Sequence, residues 1–177
     1  MNVLFIDPYL SEIECNVGLG YLCAVLKTHG HHCRVIACAE GFCKVSRIIQ
    51  EEQPDIIGFS VKSSTVLRTV EIALEARKLH DGPLICGGPH ITIDGKAFLK
   101  EHSFFDIGVV GEGEDTILEI IDHLLGNRKL DEIKGIIAWS GDDIICTEPR
   151  EPVDDLDKIP FPDYTGFDIY ANGMKVY

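Results

Sequence analysis

Five short apolar runs, at residues 3–6, 33–37, 55–61, 83–86 and 105–110, each give way to a stretch of helical period. The runs are continuous rather than alternating. A strand with that pattern is buried on both faces and belongs inside a parallel sheet. The intervening stretches carry apolar residues at i, i+3, i+4 and i+7, as Leu19, Leu22, Cys23 and Leu26 do, with Gly30 as a stop. Further helices are expected over 42–53, from a Ser63 or Ser64 cap to about His80, over 95–101, and through Ile117, Ile121 and Leu124 to Gly126.

Strand–helix alternation of this kind specifies a doubly wound sheet with helices on both faces. Right-handed crossovers leave few topologies, and 2-1-3-4-5 is the commonest for five units. The expected class is therefore α/β, a flavodoxin-like (Rossmann-like) parallel sheet of five strands. Residues 135–139 and 144–147 flank Ser140-Gly141-Asp142-Asp143 and read as an appended C-terminal β-hairpin. The domain is expected to span 1–150. Residues 151–163 are acidic and hold Pro152, Pro160 and Pro162, which is linker composition. Residues 164–177 carry Phe167, Tyr170 and Tyr177 with no helix or strand period long enough to bury them, which suggests a neighbour that the tail alone does not supply.

The strand ends carry the functional signal. The first ends at Asp7, the third at Ser60, the fourth at Gly87-Gly88-Pro89-His90, the fifth at Gly111-Glu112-Gly113-Glu114. In an open parallel sheet these ends share one edge, where ligands bind. Gly87-Gly88 is either a tight turn or a slot free of side chains.

Several ligand classes are excluded by what stands at these positions. Gly18-Leu19-Gly20 lies too far past the first strand for a dinucleotide loop, and Cys23 takes the third glycine's place. No phosphate-binding P-loop sequence occurs. Ser60 stands where a phospho-receiver domain has its acidic acceptor, and Asp7-Pro8-Tyr9-Leu10 where a flavodoxin has its phosphate loop. Ser60, Ser63 and Ser64 lie outside any nucleophile elbow. His29, His31 and His32 sit between a helix stop and a strand, as solvated residues do. A net charge of −13 repels nucleic acid and anionic membrane, and neither is expected as a partner. Seven cysteines without a C-x-x-C pair argue against a disulfide framework or zinc site and for core thiols in a reducing cytoplasm. Glu112, Glu114 and Asp115 open a helix, where they either favour its dipole or accept hydrogen bonds from ligand amides and hydroxyls.

Taken together, Ser60, Gly87-Gly88-Pro89-His90, Gly111-Glu112-Gly113-Glu114 and the tail Asp155-Leu156-Asp157-Lys158-Ile159-Pro160-Phe161-Pro162-Asp163 resemble the N-terminal cobalamin-binding domain of class B radical SAM enzymes. The resemblance implies a cobalamin cofactor. Its benzimidazole tail would enter beside the sheet, with Gly87 and Gly88 leaving room and Ser60, Val61, Ser63 and Ser64 meeting its polar parts. Pro89 and His90 would lie beside that pocket. The corrin would lie over Asp7, Tyr9 and Gly18 and over Gly111, Glu112, Gly113 and Glu114. No catalytic residue and no protein metal ligand is expected. Residues 7–18 hold no histidine, so the cobalamin would be base-off without a histidine ligand, its lower face left to water or a nonpolar residue. A radical SAM barrel would follow Tyr177 and carry the [4Fe–4S] cluster and S-adenosylmethionine, since no C-x-x-x-C-x-x-C motif occurs here. The alternatives are a non-catalytic α/β interaction module that binds no corrinoid, or a nucleotide- or flavin-binding domain.

Overall fold

The computed structural model describes residues 1–8, 15–38, 42–171 and 174–176. Five parallel strands form the centre: β1 (Asn2–Asp7), β2 (His32–Cys38), β3 (Ile56–Ser60), β4 (Leu84–Gly87) and β5 (Ile107–Val109). Their order is 2-1-3-4-5. The helices between them are α1 (Val17–Thr28), α2 (Phe42–Glu52), α3 (Val66–Arg77), α4 (Pro89–Glu101) and α5 (Glu114–Leu124). The hairpin is β6 (Ile136–Ser140) and β7 (Asp143–Cys146), and β6 pairs antiparallel to β5.

Alternate residues of each strand feed two separate cores. Leu4, Ile57, Phe59 and Cys86 pack with α2, α3 and α4 on one face. Val3, Phe5, Ile56, Ile85 and Ile107 pack with α1 and α5 on the other. The continuous apolar runs are thus each split in two by the pleat.

Four features differ from the sequence expectation. The helix expected over 95–101 begins at Pro89, directly after Gly88, and runs through a kink at Asp94. Proline suits a first helical position because its missing N–H would be unbonded there anyway. A 3-10 turn, Ser63–Thr65, precedes α3, and neither serine caps it by a side-chain bond.

The tail also forms strands. β8 (Phe167–Ala171) adds in parallel to β2, and β9 (Met174–Val176) pairs antiparallel to β8. The tail has little period of its own; the edge of β2, a row of unpaired backbone groups, supplies the partner. A Cβ at Gly166 would lie 2.5 Å from the Cys33 carbonyl oxygen, so glycine admits the chain to that edge. Finally, Cys23 of α1 and Cys33 of β2 are joined as a disulfide, their Cα atoms 5.5 Å apart. The pair comes together because α1 folds back onto β2, which no local spacing encodes.

No helix among the described residues is long and apolar enough to cross a membrane.

Candidate functional site

The two faces of the sheet are unequal at the carboxyl ends of the strands. Toward α2, α3 and α4 the last positions are Ile6, Phe59 and Cys86, all buried in the core. Toward α1 and α5 the matching positions are Asp7, Ser60 and Gly87, which alternate with Ile6, Phe59 and Cys86 along the strands. On the α1 and α5 face β3 and β4 end in the small residues Ser60 and Gly87. The result is a cavity of about 350 Å³ between the sheet, α1 and α5.

Its floor is Phe5, Gly58, Ile85, Gly87 and Val109. Phe5 lies across Gly58, whose Cβ would fall 2.5 Å from the ring. Leu19 and Leu22 of α1 face Ile117 of α5 as its walls. The two neighbouring glycines of β4 have different tasks. Gly87 opens the slot, for a Cβ there would meet only Val109, at 3.5 Å. Gly88 makes the turn. Its φ is +102°, and a Cβ would lie 3.0 Å from the Val61 carbonyl oxygen.

A polar network closes the β1–β3 side. Asn16 caps α1, its side chain accepting from the Leu19 N–H at 3.2 Å. Its amide nitrogen donates to Asp7 Oδ2 at 2.8 Å and to Ser60 Oγ at 2.9 Å. Lys62 Nζ stands 3.6 Å from the same Asp7 oxygen. Asp7 is 2% exposed, and its Oδ1 has no hydrogen-bond partner among the described residues. Burial pushes its carboxyl up, against the pull of Asn16 and Lys62.

On the β5 side Glu112 and Glu114 behave differently. Glu112 Oε2 accepts from the Val153 N–H at 2.8 Å, which ties the segment after the hairpin to the slot's rim. Glu114 Oε2 is buried without a partner among the described residues, and burial raises its carboxyl, with Glu112 and Asp115 adding to the effect. Arg150 reinforces the tie, donating to Thr116 Oγ1 at 2.9 Å and pairing with Glu119 of α5. The same segment then reaches α1. Asp163 pairs with Lys27 at 2.8 Å and donates its N–H to the Gly20 carbonyl at 3.0 Å.

Of the residues singled out from sequence, Gly18, Ser60, Gly87, Gly88 and Pro89 line the cavity. So do all four residues of Gly111-Glu112-Gly113-Glu114. Asp7 lies behind Asn16 and Ser60. The Val61 side chain belongs to the opposite core. Ser63 and His90 bond each other at 3.1 Å, and the His90 ring packs edge-on to Phe98, also of that core. Ser64 is exposed. Tyr9 lies outside the described residues. From sequence, Leu19, Leu22 and Ile117 read only as apolar helix faces, and Phe5, Asn16 and Lys62 carry no signal of a site although they line the cavity. Asn16 was legible as a cap just before a helix.

A family model described as "B12 binding domain" matches residues 11–121. An uncharacterized methyltransferase of Pyrococcus horikoshii is 30% identical over 152 residues, covering 84% of this chain and 33% of that protein. The anaerobic magnesium-protoporphyrin IX monomethyl ester cyclase of Cereibacter sphaeroides is 26% identical over 183 residues, covering 93% of this chain and 29% of that one. Among solved structures, the cobalamin-dependent S-adenosylmethionine radical enzyme OxsB, with aqua-cobalamin and S-adenosylmethionine bound, superposes with a TM-score of 0.78 at 19% identity, over 92% of this chain and 24% of that one. The radical S-adenosylmethionine methyltransferase TsrM of Kitasatospora setae gives 0.75 at 22%, over 85% and 30%. This chain spans about a third or less of the proteins it resembles.

Proposed function

We propose, proceeding from the fact that this chain belongs to the B12-binding domain family, that its slot takes the nucleotide tail of cobalamin. The observation that carries the reading is the cavity left over the strand ends at Ser60 and Gly87. It is a largely apolar space of about 350 Å³ between the sheet and the walls Leu19, Leu22 and Ile117. A planar base fits such a space and gains from its burial, at about 25 cal/mol per Å² of apolar surface.

The residues fit the group in a second respect. Glu114, whose Oε2 is buried without a partner among the described residues, belongs to the cavity lining, beside which the amide and hydroxyl donors of a large corrinoid would lie. The corrin would rest over the strand ends, near residues 7–18 and 111–114. A tail seated in the slot would make the cobalamin base-off, and residues 7–18, which hold no histidine, would offer it no imidazole. Bound cobalamin would supply the methyl-transfer or radical chemistry; this chain binds it, orients it and shields its tail.

The reading extends to a parent enzyme, although the Cys23–Cys33 disulfide removes the argument from core thiols to a reducing cytoplasm. The segment after residue 150 would lead to a radical SAM domain holding the [4Fe–4S] cluster and S-adenosylmethionine, and the reaction would be methyl transfer or another radical transformation. Support for this comes from the relatives, which are about three times as long as the stretch they share with this chain.

The test is direct. The purified chain is mixed with hydroxocobalamin, desalted, and its visible spectrum recorded. Retained corrin absorption near one equivalent is expected. Loss of all colour contradicts the reading and favours an interaction module. Reduced to Co(II), the bound form is expected to show an EPR spectrum without nitrogen superhyperfine structure; nitrogen coupling would contradict the base-off, histidine-free assignment.

A further inference from the structure

We propose that the Cys23–Cys33 disulfide and the tail at residues 163–167 form one redox-sensitive clasp: the tail shields the cross-link from thiols, and the cross-link holds the surface on which the tail is seated. The clasp lies outside the cofactor reading and does not depend on what the slot binds.

The cross-link joins α1 to β2. Its Cα atoms are 5.5 Å apart, a span that a disulfide bridges without moving the backbone. Cys23 is 0% exposed and Cys33 9%. Both belong to the core that Leu19 and Leu26 of α1 share with Val35 of β2. The tail lies along the same junction and touches both of its sides. On α1, the Asp163 N–H donates to the Gly20 carbonyl at 3.0 Å, and the Asp163 carboxylate pairs with Lys27 at 2.8 Å. Gly20 and Lys27 flank Cys23, one helical turn before it and one after. The Tyr164 ring lies against Gly20, where a Cβ would fall 2.8 Å from it. On β2, Gly166 sits against the Cys33 carbonyl, and its own carbonyl accepts from the Val35 N–H at 2.9 Å. Phe167 packs against the core that holds both cysteines, edge-on to Tyr164.

Two linked equilibria follow. A dithiol opens the pair by exchange. Its thiolate attacks one sulfur and the S–S bond breaks; its second thiolate then closes on the first and releases the other cysteine. Two electrons and two protons pass to Cys23 and Cys33 as thiols, and the dithiol leaves as a cyclic disulfide. A small disulfide reverses the exchange. Attack needs access to a sulfur, so a seated tail slows it. Reduction in turn frees α1 to shift on β2, and the tail, seated on both, loses its hold. Coupling between two such equilibria is reciprocal.

The full chain is purified without reductant, and its tryptic peptides are mapped by mass spectrometry. Cys23 and Cys33 are expected in one cross-linked species; finding them as thiols would overturn the proposal. Amide hydrogen exchange is then followed across residues 163–171 with and without dithiothreitol. Protection should fall about tenfold on reduction. The chain holds seven cysteines, so the double variant Cys23→Ala, Cys33→Ala is the control, in which dithiothreitol should change nothing. Unchanged protection in the wild type, or an equal fall in the double variant, would overturn the clasp. The converse arm reads the rate at which dithiothreitol opens the pair in the native chain. Gly166→Val, whose Cβ would fall 2.5 Å from the Cys33 carbonyl oxygen, should raise that rate about tenfold. Asp163→Ala, which removes the Lys27 pair, should raise it by less. Equal rates in all three chains would overturn the tail's shielding role, and should Gly166→Val not fold, Asp163→Ala against wild type decides it.

Discussion

The two faces of this sheet are made by the same strands and have opposite fates. Toward α2, α3 and α4, the face is filled to the carboxyl edge by Ile6, Phe59 and Cys86, and Gly108 there is covered by Leu99 and Ile91. Toward α1 and α5, the same strands end in Asp7, Ser60 and Gly87, and the helices above stand off a cavity. The pleat makes this possible, since neighbouring residues point to opposite sides. A binding slot can thus be cut into one layer without loosening the other. Gly87 on one face is an opening, and Gly108 on the other is a packing contact.

Substitution should separate these two kinds of glycine. The largest effect is expected at Gly87→Leu. Its Cβ has room beside Val109, so the branched end projects into the slot. Corrinoid retention after desalting should be lost while the circular dichroism spectrum and melting temperature stay near wild type. Normal retention would reduce Gly87-Gly88 to a turn. Gly108→Ala should do the reverse. Its Cβ would sit 3.0 Å from Leu99 and 3.3 Å from Ile91, an overpacked contact that costs about 1–3 kcal/mol in urea unfolding. Corrinoid binding by the folded fraction should be unchanged.

The polar side of the slot should show in the pH dependence of stability. The Asp7 carboxyl is raised in the fold by burial, so the folded state holds its proton more tightly than the unfolded chain. Stability is therefore lost as pH rises from the ordinary carboxylate value, about 4, through the raised one. Asp7→Asn removes that loss. Urea midpoints of the variant should exceed wild type at pH about 7 and converge with it below pH about 4. A variant weaker than wild type at neutral pH would show that the charged pair with Lys62 outweighs the burial cost. The smallest effect is expected at the clasp on α1. Lys27 holds the Asp163 carboxyl down at about 2. Its contribution is present above the ordinary carboxylate range and fades as pH falls through about 2. Lys27→Met should flatten the acid limb of a stability–pH curve slightly, as befits a partly exposed pair.

Much of this arrangement was legible in the residues. The continuous apolar runs and the helical periods between them specify the class, and right-handed crossovers narrow the strand order to a few topologies, of which the commonest is the one found. Gly111-Glu112-Gly113-Glu114 and Gly87-Gly88 could be placed on one edge for the same reason. What stayed hidden depended on tertiary partners rather than on local pattern. β8 takes its order from the open edge of β2, and Cys23 meets Cys33 through helix packing. The period of Leu19, Leu22 and Ile117 says that these side chains are covered, not whether sheet or ligand covers them. Likewise, nothing local distinguishes Glu112, held by Val153, from Glu114, whose Oε2 has no partner among the described residues.

The central claim is that the open face, between the sheet, α1 and α5, receives the planar base of cobalamin. Isotope-filtered NOE spectra of the methyl-labelled chain with diamagnetic Co(III) cobalamin test it most directly. The account predicts contacts from the benzimidazole protons to methyl groups of Leu19, Leu22 and Ile117, and none to Ile91 or Leu99. Contacts to Ile91 or Leu99, or a bound corrinoid whose base protons touch none of the slot's methyls, would contradict it.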